Sequence, residues 1–356
     1  MVDFLRAEAT PLIAAAAAAA HERWFVSDEG YPTRWDHLFA AGTLVPLALA
    51  VGLTIGTVLA WRARGRRPLL PGALALGSTP ERLAVLMGWV PLLLAVHTAV
   101  PLLVSGVNGQ LFVPNLRMSE PADALLGLAQ IGIALLLFYG IFARYAALGL
   151  AGLWLLGVGL FGPVLLIEHT IFLGIAAFYF LAGRGPVAVD RVFGPWAGAR
   201  EAWLPWAIPA LRVCAAVGFV WLALTEKLLN LPLALAFLDA YPNANFLPLI
   251  GVPVSDAAFV QMAGCVELTL GLLLLTGAFP RLVILVLWLP FNLTLAYFGW
   301  RELVGPLPIY ATMAVLLIWG GGGPAAVEAL RAGLIPTAEK PTGDAAEGEA
   351  AARRET

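Results

Sequence analysis

Hydrophobic residues fill most of the chain in long stretches that short polar segments separate. A helix needs about 20 mainly apolar residues to cross a hydrocarbon layer about 30 Å thick. By this measure nine stretches predict membrane-spanning helices, and the fifth and ninth are short. The stretches lie near residues 39–60, 83–103, 124–142, 146–166, 170–181, 203–224, 259–277, 282–298 and 307–320.

The composition agrees with a chain that faces lipid. Of the 356 residues 60% are hydrophobic and only 12% are charged, with a formal net charge of −2. So few charged side chains do not cover the surface of a soluble protein of this size, whereas a polytopic membrane protein needs few of them. The composition therefore excludes a soluble protein and gives no sign of a nucleic-acid partner; the partner it predicts is the lipid bilayer.

The basic residues are unevenly divided between the two sides of the predicted spans. One side has Arg6, Arg23, Arg34, Arg117, Lys227 and Arg301. The other has Arg62, Arg64, Arg66, Arg67, Arg82, Arg144, Arg184, Arg191, Arg200, Arg281, Arg331, Lys340, Arg353 and Arg354. Lys and Arg are retained on the cytoplasmic side. We therefore expect a multi-pass protein of an inner (plasma) membrane, with its amino terminus outside and its carboxyl terminus in the cytoplasm.

The two ends of the chain differ from the spans. Residues 1–38 predict an external segment with a short interfacial helix, and Trp24, Phe25 and Trp35 are expected at the level of the lipid headgroups. The tail, residues 335–356, is rich in Pro, Ala, Gly, Glu and Arg without an apolar face. Such a composition predicts disorder.

Two parts of the chain repeat each other. Residues 127–144 align with residues 264–281 at an offset of 137, and residues 183–190 align with residues 321–328 at an offset of 138. Each repeat contains an even number of predicted spans, so both copies enter the membrane from the same side and the repeats are parallel.

The predicted fold is therefore all-α. A lone span with a basic cytoplasmic loop occupies residues 39–80. Two parallel four-helix bundles follow, the first over residues 81–200 and the second over residues 201–334.

The second unit carries residues in a recognisable order. Arg212 and Gly218 lie on its first helix, which ends in Lys227-Leu228, and Glu267 begins the second motif, Glu-x-x-x-Gly with Gly277 six residues later. A third helix pattern starts at Pro308-Ile-Tyr310 and ends in the glycines 320–323 followed by Glu328. In this order and spacing, residues 203–328, about a third of the chain, resemble the DoxX/DoxD-like family of four-helix membrane proteins.

The resemblance implies a four-helix fold more firmly than it implies a function. Some members of that family are quinone-reactive or accessory membrane subunits of redox systems, so quinone and redox-complex partner proteins enter as expectations. The first unit departs from the pattern: Gln130 stands where the second unit has Glu267, Asn108 lies near the position of Lys227, and no arginine corresponds to Arg212.

Arg212 and Glu267 are ionisable residues within predicted spans, where an unpaired charge is costly. The first expectation is a buried ion pair between them that fixes helix packing. The alternatives are that Glu267 accepts a proton from a bound quinol, that it pairs with Lys227, or that it faces a small aqueous cavity.

A second polar pair is expected in the first unit. His97 and Gln130 lie at similar depths, which predicts a hydrogen bond between neighbouring helices. Haem ligation is the alternative, but His169 lies at the outer end of its span and at a different depth. His21 and His37 are predicted to be ordinary external residues.

Further polar residues of the second unit gather toward the outside. Lys227, Asn292, Tyr297 and Tyr310, with the loop between residues 228 and 256, form a candidate ligand-binding cluster. A loop of this length is usually functional or packed as a cap. The alternative for the cluster is an aromatic belt with interfacial charges.

Other chemistry is not encoded in recognisable motifs. Cys214 and Cys265 differ in depth, which argues against a disulfide, and neither lies in a metal-binding spacing. No cofactor or metal is evident, and no catalytic residue is identified. The resemblance to DoxX-like proteins thus implies an accessory or quinone-contacting membrane subunit of a redox system. The alternatives are a small-molecule or lipid binding or transport protein of the membrane, or a purely structural membrane scaffold.

Overall fold

A computed structural model describes residues 21–192, 200–299 and 303–335. Within these ranges all regular structure is helical, apart from a β-bridge between Gln110 and Arg117. The helices are α1 Ala41–Ala63, α2 Pro80–Val107, α3 Ala122–Tyr139, α4 Ala143–Phe161, α5 Pro163–Ile167, α6 Ile171–Ala182, α7 Leu204–Leu222, α8 Leu231–Ala240, α9 Asp256–Thr276, α10 Pro280–Phe298, α11 Leu307–Trp319 and α12 Pro324–Leu334. The predicted interfacial helix before residue 21 and the predicted tail after residue 335 lie outside the described ranges.

Among the described residues six helices are long and apolar enough to cross a membrane, or seven if α11 and α12, which meet at 112°, form one broken span. The chain thus has the helices of a multi-pass membrane protein, and the count of nine spans stays a prediction. The other three predicted stretches contain α6, α10 and α11, of which α6 has 12 residues and α11 has 13. Gly320 (φ 68°) ends α11.

Small residues let neighbouring helices approach closely. A Cβ atom at Gly127 on α3 would lie 2.7 Å from the carbonyl oxygen of Gly106 on α2. A Cβ atom at Gly174 on α6 would lie 2.8 Å from Cβ of Cys214 on α7. Such contacts bring backbones together where no hydrophobic force drives helix association. The second contact joins the two predicted units.

The aligned stretches of the two units share an unusual backbone turn. Gly140 and Gly277 end α3 and α9 in the left-handed conformation, with φ of 68° and 75°. Two residues later Phe142 and Phe279 also have positive φ, 47° and 48°, directly before α4 and α10. Positive φ is rare for an aromatic residue. The local conformation is therefore common to both copies of the sequence repeat.

The long loop after α7 is packed as a cap. Its helix α8 contributes Phe237, which lies with Tyr241 and Phe298 around Phe25. The ring centroids of Phe25 and Phe298 are 4.3 Å apart, and those of Phe237 and Tyr241 are 5.2 Å apart. Phe25 therefore packs among protein side chains, and its expected level relative to the lipid headgroups stays a prediction.

We call the end of the helices where residues 21–28 pack the ionic end, and the end that carries Arg184, Arg200 and Arg281 the basic end. The helices α2, α4 and α7 run between these ends, α2 and α7 toward the ionic end. The lone helix α1 packs against α9, and most of its surface is exposed. This arrangement brings α7 and α9 together beneath the N-terminal segment.

Candidate functional site

Six charged side chains are buried together at the ionic end. We call this set the buried ionic network. Its members are Glu22, Arg23, Glu168, Glu226, Lys227 and Glu267. Five of these side chains are at most 4% exposed, and that of Glu267 is 14% exposed. Residues from the N-terminal segment, the turn between α5 and α6, the end of α7 and the middle of α9 meet here.

Arg23 is the cation of one half of the network. Its guanidinium forms an ion pair with Glu168 and lies 3.7 Å from the carboxylate of Glu226. Nη2 also donates to the carbonyl oxygen of Thr225 at 3.2 Å, and the Thr225 hydroxyl donates to Oε1 of Glu168 at 2.6 Å. Arg23 thus ties the N-terminal segment to two distant parts of the helical bundle.

Lys227 is the cation of the other half. Its Nζ lies 3.0 Å from Oε1 of Glu22 and 3.2 Å from Oε2 of Glu267. The halves are joined through Glu22, whose backbone N–H donates to Oε2 of Glu226 at 2.9 Å. The pairing of Glu267 with Lys227 is one of the arrangements that the sequence left open.

A local change of helix type places three consecutive polar residues in the network. After Leu222 the chain continues α7 as a π-helical turn, Ala223–Leu228. Successive residues of a regular helix point about 100° apart, so three in a row do not face one neighbour. Here Thr225, Glu226 and Lys227 are all buried, because the wider turn is covered by the N-terminal segment and by α9. Single π-helical turns of this kind are frequent at functional sites.

The network contains more acid than base. With every group ionised, the four carboxylates and two cations leave a formal charge of −2. Buried charge without a partner is expensive, and groups in this situation take up protons or counter-ions instead. Among the described residues no group of three His, Cys, Asp or Glu side chains is placed to hold a metal ion. Proton uptake by one or more of the four carboxyl groups would reduce this negative charge.

Two histidines beside the network do not supply the missing positive charge. His21 stacks on Trp24 with ring centroids 4.1 Å apart, and its ring lies 6.1 Å from that of His169. Burial and the charge of Arg23 lower the pKa of His169 to about 3. Burial, and then the nearby His169, Lys227 and Arg23, lower the pKa of His21 well below its usual value. Both rings are therefore neutral at pH 7, and His21 is buried beside the network, so it is not the ordinary side chain that the sequence predicted.

A cavity of about 640 Å³ opens next to the network. Its walls come from residues 23–29, from α2 and the following loop over residues 101–117, and from residues 304–305. Arg23 belongs to both the cavity wall and the network. Trp24 and Asn115 also line the cavity, and their Nε1 and Oδ1 atoms are buried without a hydrogen-bond partner in the described structure.

Arg212 does not form the expected pair with Glu267. Its Nη1 donates to the carbonyl oxygen of Leu274 and, at 2.8 Å, to that of Leu275 at the end of α9. Fifteen residues separate Arg212 from Lys227 on one continuous helical segment, which is roughly 22 Å at 1.5 Å per residue. Arg212 therefore satisfies unpaired carbonyls at the basic end, far from the network.

In the first unit another arginine binds the same helix end as Arg212 does in the second, although the two arginines are not aligned in the repeat. Arg184 donates from Nε to the carbonyl oxygen of Leu137 at 3.0 Å and from Nη2 to that of Phe138 at 3.1 Å. These carbonyls are equivalent, at the offset of 137, to those of Leu274 and Leu275. The same helix end is bound by a guanidinium in both units, but the arginine comes from a different place in the chain.

His97 and Gln130 also do not pair. His97 Nδ1 lies 2.8 Å from the carbonyl oxygen of Leu93 in its own helix. Gln130 donates to the carbonyl oxygen of Leu102 and accepts from the backbone N–H of Phe112, both at 2.9 Å. A side-chain amide both donates and accepts hydrogen bonds, so Gln130 binds the backbone around Phe112 after α2. Its counterpart Glu267 pairs with Lys227 instead.

The remaining predicted site residues do not meet at one place. Asn292 donates to the carbonyl oxygen of Trp288 at 2.7 Å, and the Tyr310 hydroxyl donates to that of Phe291 at 2.8 Å. The side chain of Tyr297 lies outside the described part of the structure. Neither Asn292 nor Tyr310, nor Arg212, Lys227 or Glu267, is among the described residues that line the large cavity.

Sequence reasoning missed Glu22, Arg23 and Glu168 as site residues. One signal was present: the fifth apolar stretch was already short, and the helix α6 that it forms has only 12 residues. Because α6 is short, it begins inside the bundle and not level with the ends of the neighbouring helices. Glu168 and His169, which precede α6, are therefore buried. The free thiols of Cys214 and Cys265 agree with the prediction that they form no disulfide.

Comparison with known proteins adds no assignment. No protein-family description, curated protein sequence or solved structure matches the chain.

Proposed function

We propose that the protein is a membrane subunit that binds a small amphipathic molecule of the quinone class in the cavity at the ionic end. The observation that carries this proposal is the position of Arg23, which lines the cavity and pairs with Glu168 in the buried network. A molecule in the cavity would therefore lie beside buried carboxyl groups that outnumber the cations of the network. Proton exchange would reduce this excess negative charge.

The size and lining of the cavity support a ligand of this class. Pockets for small molecules usually have volumes of about 300 to 1,000 Å³ and mainly apolar walls with a few polar groups. At about 640 Å³ the cavity fits this range, and Phe112 and Val104 stand beside Ser105 and Asn108 in its wall. Asn108 and Arg117, which are both exposed, also line the cavity, and their amide and guanidinium N–H groups suit the carbonyl of a quinone.

The DoxX-like resemblance supports the same class of ligand and implies a partner protein that carries out electron transfer. The role proposed for this chain is binding the ring and exchanging protons with it. The alternative is a purely structural scaffold, which the ion pairs of Arg23 and Lys227 favour because they tie the N-terminal segment to the helices.

A binding measurement separates these functions. Isothermal titration of the detergent-solubilised protein with a short-chain ubiquinone analogue is expected to show saturable binding. Val104→Trp fills the cavity wall and is expected to weaken binding by roughly tenfold or more, since overpacking costs about 1–3 kcal/mol. Val107→Trp is the matched control on the same helix, because Val107 is 71% exposed and does not line the cavity.

Binding that Val104→Trp weakens by roughly tenfold or more and Val107→Trp preserves supports the proposal. A wild-type protein without saturable binding, or one in which both variants bind equally, overturns it in favour of the scaffold.

A further inference from the structure

A second cavity, of about 290 Å³, lies at the basic end and is not part of the buried ionic network. Arg144 at the start of α4, Arg200, and Trp203 just before α7 are among its lining residues. Phe180 of α6 stacks on Trp203 with ring centroids 5.5 Å apart and fixes the indole.

Two guanidinium groups lie over the ring of Trp203 at this cavity. The guanidinium carbon of Arg200 lies 4.5 Å from the ring centroid, and that of Arg144 lies 5.6 Å from it. Both distances are within the range of cation–π attraction. The two guanidinium groups also repel each other, because each lies within the other's electrostatic reach. An anion between them would remove this repulsion.

The acidic residue of the cavity already has another role. The carboxylate of Asp190 accepts hydrogen bonds from the backbone N–H groups of Phe142 at 2.6 Å and Ala143 at 2.9 Å, which caps the start of α4. In the described part of the chain Arg200 forms no ion pair. The guanidinium group of Arg200 is thus available at the cavity, and a guanidinium group suits the oxygens of a phosphate.

The rim of the cavity is apolar and exposed. Phe142 is 47% exposed, Tyr145 is 66% exposed, and Leu148, one turn further along α4, is 53% exposed. Such a rim beside two arginines matches a molecule that has both a charged head and hydrocarbon chains. The charge bias of the sequence also predicts this end to be cytoplasmic, where anionic lipids attract basic pockets between helices.

We propose that Arg144 and Arg200 bind the phosphate of an anionic phospholipid headgroup beside Trp203, with the acyl chains against Tyr145 and Leu148. Free phosphate would offer the same head chemistry without the chains. The inference does not depend on the ligand of the cavity at the ionic end, because the two sites share no residue.

Native mass spectrometry of the delipidated full-length protein tests the site. Phosphatidylglycerol is added in the presence of an equal amount of phosphatidylcholine, and retained adducts are compared. The wild-type protein is expected to retain phosphatidylglycerol preferentially. The double variant Arg144→Gln/Arg200→Gln is expected to lose this preference by roughly tenfold or more, since hydrogen bonds to charged groups contribute about 1.5–3 kcal/mol each.

Arg82→Gln/Arg191→Gln is the matched control. It removes two exposed arginines from the same end, and neither lines the cavity. Arg144→Lys/Arg200→Lys keeps the charge without the planar fork and is expected to bind with intermediate strength, which also guards against loss of folding in the Gln variant.

Selective loss in the Arg144/Arg200 variant, with retention in the control, supports the proposal. Equal loss in both double variants would show that only overall charge matters and would overturn it. Inorganic phosphate that displaces phosphatidylglycerol at equal concentration would also overturn it, because the acyl chains would then contribute nothing.

Discussion

Lys227, near the end of α7, lies 3.0 Å from Glu22 of the N-terminal segment, more than two hundred positions earlier in the chain. The same ammonium group lies 3.2 Å from Glu267 on α9. One buried cation thus joins three separate parts of the sequence. The arrangement makes the N-terminal segment a structural part of the bundle, and it leads to predictions that differ from those based on the Arg212–Glu267 pair.

Double-mutant cycles distinguish the two pairings. We expect the cycle Lys227→Met/Glu267→Leu to show a coupling energy of about 1–3 kcal/mol, because contacting charges are coupled. The cycle Arg212→Met/Glu267→Leu is expected to be additive within about 0.5 kcal/mol, since the two sites share no partner. Thermal unfolding in detergent gives both values. Strong coupling between Arg212 and Glu267 would contradict the structure.

Loss of the central cation alone is expected to be severe. Lys227→Met leaves Glu22 and Glu267 buried without a cation, and breaking a buried pair in this way costs about 3–5 kcal/mol. Arg331→Met is the control, because its ion pairs with Glu201 and Glu328 are exposed and such pairs contribute about 0–1 kcal/mol. Unfolding midpoints measured side by side check the difference. Similar midpoints for the two variants would argue against a tightly buried network.

Acid is expected to destabilise the protein through its buried histidines. The pKa of His169 is about 3 in the folded protein and near 6.5 in the unfolded chain, so only the unfolded chain binds the proton between these values. The stability is fully present above pH 6.5 and falls as the pH drops toward 3, by about 1.4 kcal/mol per pH unit for each such histidine. Unfolding midpoints between pH 7.5 and 4.5 measure this slope. His169→Gln is expected to make it shallower, and an unchanged slope would speak against a neutral His169.

The close approach of α2 and α3 is tested by two glycines on the same helix. Gly127→Ala places a Cβ 2.7 Å from the carbonyl oxygen of Gly106, so α2 and α3 must separate and the protein is expected to lose about 1–3 kcal/mol. Gly132→Ala meets nothing within 4 Å and is expected to be neutral or stabilising by up to about 1 kcal/mol. Equal unfolding midpoints of the two variants would rule out the contact.

The sequence was most informative where long apolar stretches and scarce charges decide the outcome. It predicted an all-helical membrane protein, and each of the nine apolar stretches contains a helix. The count of nine full-length spans stays a prediction, and hydropathy does not register the backbone break at Gly320, which ends α11 after 13 residues. The depths estimated from the helical rise put Glu267 within reach of Arg212. The guanidinium of Arg212 instead binds carbonyl oxygens at the end of α9.

The site depended on contacts that no local pattern encodes. In the sequence, Glu22 and Arg23 follow a run of alanines and are typical of an external segment. Only the structure shows that they contact Glu226 beyond the end of α7. Glu226 and Lys227 are neighbours in sequence, and only the π-helical turn buries both. The relation between Arg184 and Arg212 was hidden for a similar reason, since equivalent carbonyls are bound by arginines at unrelated positions.

A density map of the protein purified from its own membrane tests the central claim most directly, that the N-terminal segment closes a ligand cavity over a buried ionic network. The account predicts Arg23 paired with Glu168, and ring-shaped density with a hydrocarbon tail in the cavity between Trp24 and Asn115. A map in which Glu22 and Arg23 lie away from Lys227 and Glu168, or in which side chains fill the cavity, would contradict it.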